Sequence, residues 1–239
     1  TAEISAFRRE LHMRTGELTR TFSATLPNDR SDDVETIRFV SLVRPHLGVI
    51  RYRITLVDAA TLEVSAGVDG DVVNEDSNYD EGFWTELDRS LDGTRGMVMS
   101  RTKKTEFDVA TAMDFEVSLA GERVSPYIGG EERHLFVASQ FELVVPPGET
   151  VELVKFGATH TSRETPRAEV ANRCHAELDA ALADGFHALQ QEHHAAWKHK
   201  WDLSDVVIGG DLGAQQGIRF NIFGLNSTFT GEDADLNIG

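Results

Sequence analysis

The chain of 239 residues has 23 basic and 40 acidic residues, a formal net charge of −17 and a hydrophobic content of 40%. Because affinity for nucleic acid depends on Lys and Arg at the phosphates, this balance argues against a DNA or RNA partner. No run approaches the roughly 20 apolar residues of a membrane span, and the first residues lack the pattern of a signal peptide. We expect a cytoplasmic protein without a membrane partner.

The first two-thirds of the chain are dominated by an alternation of period two. The clearest case runs from Phe107 to Leu119, where apolar residues or Thr occupy every second position. Successive strand side chains point to opposite faces, so this pattern predicts one buried and one wet face. Many antiparallel strands without intervening helices predict a β-sandwich. The other β-rich stretches lie near Leu18–Leu26, Thr36–Val43, Val49–Val57, Thr61–Val68, Met97–Arg101, His134–Val145 and Val151–Thr159.

A helical period replaces the alternation from Ala168 to about Lys200. Its apolar residues form a one-sided stripe, typical of a helix that packs on another layer. Gly185 costs a helix about 1 kcal/mol relative to Ala, and we predict a bend there. The single cysteine, Cys174, lies on the apolar side, which favours a small buried hydrophobe over a reactive thiol. The segment is interpreted as a connector between two domains.

A group of histidines on this helix raises the question of a metal site: His187, His193, His194 and His199. A helical zinc site places its ligands one turn apart, as in His-Glu-x-x-His. Neighbouring residues such as His193 and His194 instead point about 100° apart on a helix. We therefore predict a solvated, pH-sensitive helix face and no metal ion.

A second helix is predicted from about Gly213 to Thr228. Its apolar residues do not keep to one face, so other helices must enclose it. The few residues after it cannot do so, and we expect a cut chain whose parent protein continues with more helices. Arg219 lies among these apolar residues and is predicted to pair with a carboxylate, because an unpaired buried guanidinium is costly. A structural pairing is favoured over a role beside a polar pocket.

Two short fragments combine an aromatic ring with a carboxylate, as sugar sites do: Trp84-Thr85-Glu86 and Trp201-Asp202. Matches of this length are expected often by chance, and edge packing or a cap on the long helix explains them as well. The sequence contains no nucleophile elbow, phosphate loop or dinucleotide-binding motif.

The C-terminal block resembles glycoside hydrolase family 65, which includes the maltose, trehalose and kojibiose phosphorylases. The segments that are similar to the start of its catalytic barrel are Gly217-Ile218-Arg219-Phe220-Asn221-Ile222-Phe223, Thr228-Phe229-Thr230-Gly231-Glu232-Asp233 and Leu236-Asn237-Ile238-Gly239. Upstream, Arg38-Phe39-Val40-Ser41 and Ile50-Arg51-Tyr52 resemble its early strands. The resemblance implies an antiparallel super-β-sandwich (1–165), a helical linker (166–203) and the first helix of a truncated (α/α)6 barrel (204–239).

The resemblance also implies a reaction, inverting phosphorolysis of an α-glucoside. Phosphate would attack the anomeric carbon of maltose, the favoured substrate, while a glutamic acid protonates the departing oxygen, giving glucose and β-glucose 1-phosphate. Inorganic phosphate is a co-substrate, and no cofactor is expected. The implied partners are the disaccharide, phosphate and a second copy in a homodimer.

In the family, the general acid and the phosphate-holding residues lie later in the sequence than Gly239. No catalytic residue is therefore assigned, and the chain alone is expected to be inactive. The candidate substrate-binding residues at the rim of the pocket are Glu232, Asp233 and Asn237, with Arg219 as structural support. The alternatives are a trehalose or kojibiose phosphorylase, a hydrolase of the same family, or a non-catalytic carbohydrate-binding or dimerisation module.

Overall fold

The computed structural model describes residues 3–25, 30–73 and 82–228. Within these ranges the chain forms strands first and two α-helices last, as the change of period predicts. The helices are α1 (Val170–Ser204), preceded by a 3-10 turn at Arg167–Glu169, and α2 (Leu212–Thr228). The strands are β1 (Glu3–His12), β2 (Glu17–Thr25), β3 (Ser31–Val40), β4 (Leu47–Thr55), β5 (Ala60–Asp69), β6 (Trp84–Asp92), β7 (Arg95–Thr102), β8 (Asp108–Leu119), β9 (Glu122–Val124), β10 (Gly129–Arg133), β11 (Phe136–Val145) and β12 (Thr150–Thr161).

The strands form two antiparallel sheets of very different size. The large sheet has the order β1-β2-β3-β4-β12-β8-β7-β6, and β9 pairs with β8. The small sheet has the order β10-β11-β5 and packs on one face of the large sheet, against β6, β7 and β8 and also against β12 and β4. The prediction of a mainly antiparallel β fold followed by a long helix is confirmed.

Helix α1 covers the opposite face of the large sheet. Val49, Ala112 and Phe156 point towards α1 and form one hydrophobic core with its buried residues. Met113 and Phe115, on the other side of β8, pack instead against the small sheet. The central strands are therefore buried on both faces, in a helix–sheet–sheet arrangement.

This double burial corrects the prediction for the strand at 107–119. The alternation located β8, but its second face is not wet: Ala110 and Ala112 are fully buried beneath α1. Asp114 is also buried, and Arg95 donates to its carboxylate at 2.9 Å. Small alanines and an aspartate that is paired with an arginine can lie beneath a covering helix, although the sequence alone suggests a solvent-exposed face.

Helix α1 is interrupted at Gly185, as predicted, where φ is 74° and ψ is 169°. L residues with a side chain rarely adopt this backbone conformation, so glycine is required for the bend. Before it, the buried residues, among them Cys174 and Leu178, pack on the central strands. After it, Phe186 and His193 contact Phe39 at the end of β3.

Helix α2 contributes no buried residue to the described structure. Leu212 is 90% exposed, Phe220 58% and Leu225 55%. The expectation that this helix is not enclosed agrees with its exposure among the residues that the structure describes. No helix within the described ranges is long and apolar enough to cross a membrane.

Candidate functional site

The turn between β1 and β2 packs directly on the second half of α1. The turn is closed by the amides of Thr15 and Gly16, which donate to the carbonyl of His12 at 3.0 and 2.8 Å. Gly16 has a φ of 70°, and a Cβ atom built on it would lie 1.9 Å from Nε1 of Trp197. The contact between turn and helix therefore depends on a residue without a side chain.

Glu17 anchors the same turn to α1. Its carboxylate accepts hydrogen bonds from Nε2 of Gln190 at 2.6 Å and from the hydroxyl of Thr15 at 3.2 Å, and Nε2 of His194 lies 2.9 Å away. Burial raises the pKa of Glu17, but the hydrogen bonds from Gln190 and His194 outweigh it, and the pKa is lowered overall. Glu17 is thus an ionised anchor at neutral pH.

The prediction of a solvated histidine face is wrong for His193. This ring is 1% exposed, stacks on Phe39 with centroids 4.6 Å apart and accepts a hydrogen bond from the amide of Leu42 at Nδ1. Burial lowers its pKa, and the neighbouring His194 lowers it further. His193 is therefore a neutral core residue that fixes the end of β3 to α1. In the described ranges no three His, Cys, Asp or Glu side chains are placed to hold a metal ion.

A cleft of about 1040 Å³ opens between this turn, the end of α1 and the middle of α2. Trp201 forms one wall, and its indole Nε1 donates to the carbonyl of Met13 at 2.8 Å. Asp202 forms an ion pair with Lys198, one helical turn before it, with 2.6 Å between the Lys Nζ and a carboxylate oxygen. The fragment Trp201-Asp202 does lie in a cleft, but both of its polar groups already have protein partners.

Arg219 also lines this cleft, and its predicted carboxylate partner is Asp205. The guanidinium donates through Nε and a terminal nitrogen to the two carboxylate oxygens, at 2.8 and 2.7 Å. The pairing with a carboxylate is as predicted. The expectation that Arg219 is buried is wrong, because the side chains of Arg219 and Asp205 are 37% and 32% exposed. The pair closes the loop that joins α1 to α2 and is a structural contact.

Two carboxylates of the cleft, those of Asp205 and Glu17, are unsuited to protonating a leaving group. A general acid at neutral pH needs a raised pKa. Hydrogen bonds from Arg219 lower the pKa of Asp205, and the pKa of Glu17 is also lowered. These two carboxylates therefore serve as hydrogen-bond and ion-pair anchors rather than as general acids.

The remaining predicted site residues cannot be placed in the cleft. Glu232, Asp233 and Asn237 lie outside the described residues. Conversely, the anchoring role of Glu17 was missed in the sequence, where the first β-rich stretch begins only at Leu18 and the turn before it is not predicted. Gly16 was the available signal, since a glycine between two β-rich segments marks a turn.

Comparison with known proteins gives consistent matches over nearly the whole chain. Residues 1–200 match the model of the glycosyl hydrolase family 65 N-terminal domain. The chain is 30% identical to maltose phosphorylase of Bacillus subtilis (strain 168) and 29% identical to α,α-trehalose phosphorylase of Thermoanaerobacter brockii. Each match covers 99% of this chain and 31% of the relative, so the chain spans about a third of their length.

A solved structure shares the fold. The structure named "Putative kojibiose phosphorylase from human microbiome" superposes with a TM-score of 0.86 at 16% sequence identity. The match covers 98% of this chain and 30% of the other. The arrangement of two unequal sheets, α1 and α2 therefore also occurs in a longer protein.

Proposed function

Because the chain belongs to glycosyl hydrolase family 65, we propose that it is the N-terminal part of a disaccharide phosphorylase. The match of the family's N-terminal domain over residues 1–200 carries this proposal. The similarity to maltose phosphorylase over 99% of the chain supports maltose as the substrate. The proposed protein is a cytoplasmic homodimer.

The exposed surface of α2 supports a helical catalytic domain next to the sandwich. Phe223 stacks on Trp197 with ring centroids 4.8 Å apart, and Arg219 pairs with Asp205. These two contacts hold one side of α2, while Phe220 and other apolar residues are left in water. An apolar helix side of this kind is suited to packing against further helices. The sandwich then serves as the support that positions the first barrel helix.

The proposed reaction is inverting phosphorolysis of maltose. Inorganic phosphate attacks the anomeric carbon from the side opposite the glycosidic bond, and a glutamic acid protonates the leaving oxygen. The bond to the leaving sugar breaks as the bond to phosphate forms, which gives glucose and β-glucose 1-phosphate. No organic cofactor is needed, because phosphate itself replaces the water of an inverting hydrolase.

No described residue is proposed as a catalytic residue. Glu232, Asp233 and Asn237 are proposed at the rim of the substrate pocket, on the segment that follows α2. Arg219 supports that rim indirectly, because its pair with Asp205 fixes the middle of α2 relative to the end of α1. The catalytic acid and the phosphate site are proposed to lie in the catalytic domain.

An assay of the full-length protein tests the function. Maltose, trehalose and kojibiose are each incubated with and without phosphate, and glucose 1-phosphate and free glucose are measured. We expect glucose 1-phosphate from maltose only in the presence of phosphate, with the β anomer identified by NMR. Equal glucose release without phosphate would identify a hydrolase, and preference for another disaccharide would reassign the substrate. The 239-residue chain alone is expected to show no turnover.

A further inference from the structure

The large sheet is covered unevenly on the face that carries the small sheet. The small sheet packs on β6, β7 and β8 and also contacts β12 and β4, whereas β1, β2 and β3 continue beyond its edge. On this open part, Arg9 of β1 lies directly opposite Arg20 of β2, and Arg38 of β3 lies opposite Leu18. All three arginines are exposed. We call this surface the arginine face.

The arginine face lacks the carboxylates that would normally balance it. In the described ranges none of its three arginines forms an ion pair, although Arg20 lies over the ring of Phe22. Like charges directly opposite one another on adjacent strands destabilise a sheet. Asp69 lines the neighbouring hollow with Arg38, but it is not within ion-pair distance. In a chain of net charge −17, an arginine pair without a carboxylate partner in the described ranges is suited to contact with an anionic group.

The outer face of the small sheet carries a like-charged pair of the opposite sign, formed by two glutamates. Glu63 of β5 lies directly opposite Glu142 of β11, and neither forms an ion pair with a described residue. Both line a hollow of about 690 Å³ together with Tyr127, which is 91% exposed. Val144, two residues along the same face, is 75% exposed. We call this surface the glutamate face.

The two faces point in the same direction, at different heights. Since the small sheet is stacked on the large one, its outer surface stands about 10 Å above the open strands. A two-fold axis parallel to the strands would turn a second copy over and place its small sheet on the open strands of the first. The reverse contact then forms at the same time, which closes the pair.

We propose that two copies of this chain associate in this way, with the glutamate face of each on the arginine face of the other. Charge complementarity selects a second copy as the occupant, because each face holds an unbalanced pair that the other neutralises. Apolar contact is available as well: Val40, beside Arg38, is 68% exposed and would meet Tyr127 or Val144. This names the surface of the homodimer in the proposed function, and its test is made without substrate.

Charge reversal measured by sedimentation equilibrium tests the interface. Arg20→Glu and Glu142→Arg are each compared with the unaltered chain and with the double variant. Either single reversal is expected to raise the dimer Kd on the order of tenfold. The double reversal restores the attraction in both contacts and is expected to return Kd to that of the unaltered chain.

Several controls separate this interface from other causes of association. Arg20→Glu makes the chain more negative and Glu142→Arg less negative, so an effect of net charge alone would move Kd in opposite directions. Each reversal removes a like-charge pair within one chain, so the thermal midpoint is expected not to fall. Arg173→Glu, an exposed site on α1 across the large sheet, should leave Kd unchanged. A monomeric chain, opposite shifts of Kd for the two reversals, or a double variant that does not recover would overturn the proposal.

Discussion

The imidazole rings of His46 and His160 stack with their centroids 4.0 Å apart. His46 is held from both sides, because Nδ1 lies 3.0 Å from the carbonyl of Thr159 and Nε2 lies 3.2 Å from Glu164. Burial lowers the pKa of His160 to about 4, and the charges of His46 and Arg173 add to this effect. The ring of His160 is therefore neutral in the folded protein.

The pKa of His160 predicts a loss of stability in mild acid. Between pH 6.5 and about 4 the unfolded chain binds a proton that the folded chain excludes, so stability falls with pH across this window. The loss is up to about 3 kcal/mol, at about 1.4 kcal/mol for each pKa unit. Urea unfolding at several pH values should show that the free energy of unfolding of His160→Phe depends less steeply on pH than that of the unaltered chain. The exposed His199→Gln should retain the full slope, and an unchanged slope for His160→Phe would refute this assignment.

The lowered pKa of Glu17 predicts a second pH dependence of stability, at lower pH than that of His160. Its folded pKa is lowered below 4.5, so its stabilising effect is present above pH 4.5 and is lost as the pH falls through the folded pKa. Glu17→Gln should unfold at lower urea concentration than the unaltered chain at pH 7, and the difference should narrow below pH 4.5. The surface variant Glu122→Gln is the control and should match the unaltered chain throughout. A difference independent of pH would show that the charge of Glu17 is not what anchors the turn.

Gly16→Ala should destabilise the fold strongly. A left-handed backbone with a side chain costs about 1–2 kcal/mol, and the overlap with Trp197 adds about 1–3 kcal/mol. Gly93 provides a matched control, because its φ is 58° but a Cβ atom there would meet nothing within 4 Å. Equilibrium urea unfolding should show a larger loss for Gly16→Ala than for Gly93→Ala. Equal losses would mean that the turn moves away from Trp197 without penalty.

Cys174 should be unreactive in the folded protein. Its side chain is fully buried, Sγ lies 3.2 Å from the carbonyl of Ala110, and burial raises the pKa of the thiol to about 11. Since the thiolate is the reactive form, a disulfide reagent at pH 8 should label the chain only after denaturation. Rapid labelling without denaturant would show that α1 separates from the sheet.

The layout of the fold follows from patterns that are local in sequence. The alternation at 107–119 predicts β8, and the one-sided apolar stripe predicts α1 together with its interruption at Gly185. Edge strands are harder to predict: β1 has almost no buried residue, so Arg8, Arg9 and Glu10 give no alternation of burial. Its place in the sheet is set by pairing with β2, which is a contact between strands rather than a periodicity.

The site is less predictable because its contacts join distant segments. Arg219 was expected to meet a carboxylate, yet nothing in the sequence names Asp205 rather than another acid. His193 is buried because β3 ends against α1, a contact across about 150 positions that helical spacing does not report. Whether a face is wet or covered likewise depends on which layer packs there, as Asp114 shows beneath α1.

The bend at Gly185 divides α1 into two segments that make different contacts. The segment before it is committed to the central strands, and the segment after it carries Trp197 and leads to α2. The direction in which the chain leaves the sandwich is thus determined by the φ and ψ angles of Gly185. A residue with a side chain at this position would favour an unbroken helix, and the segment after residue 185, with Trp197 and α2, would then run in a different direction.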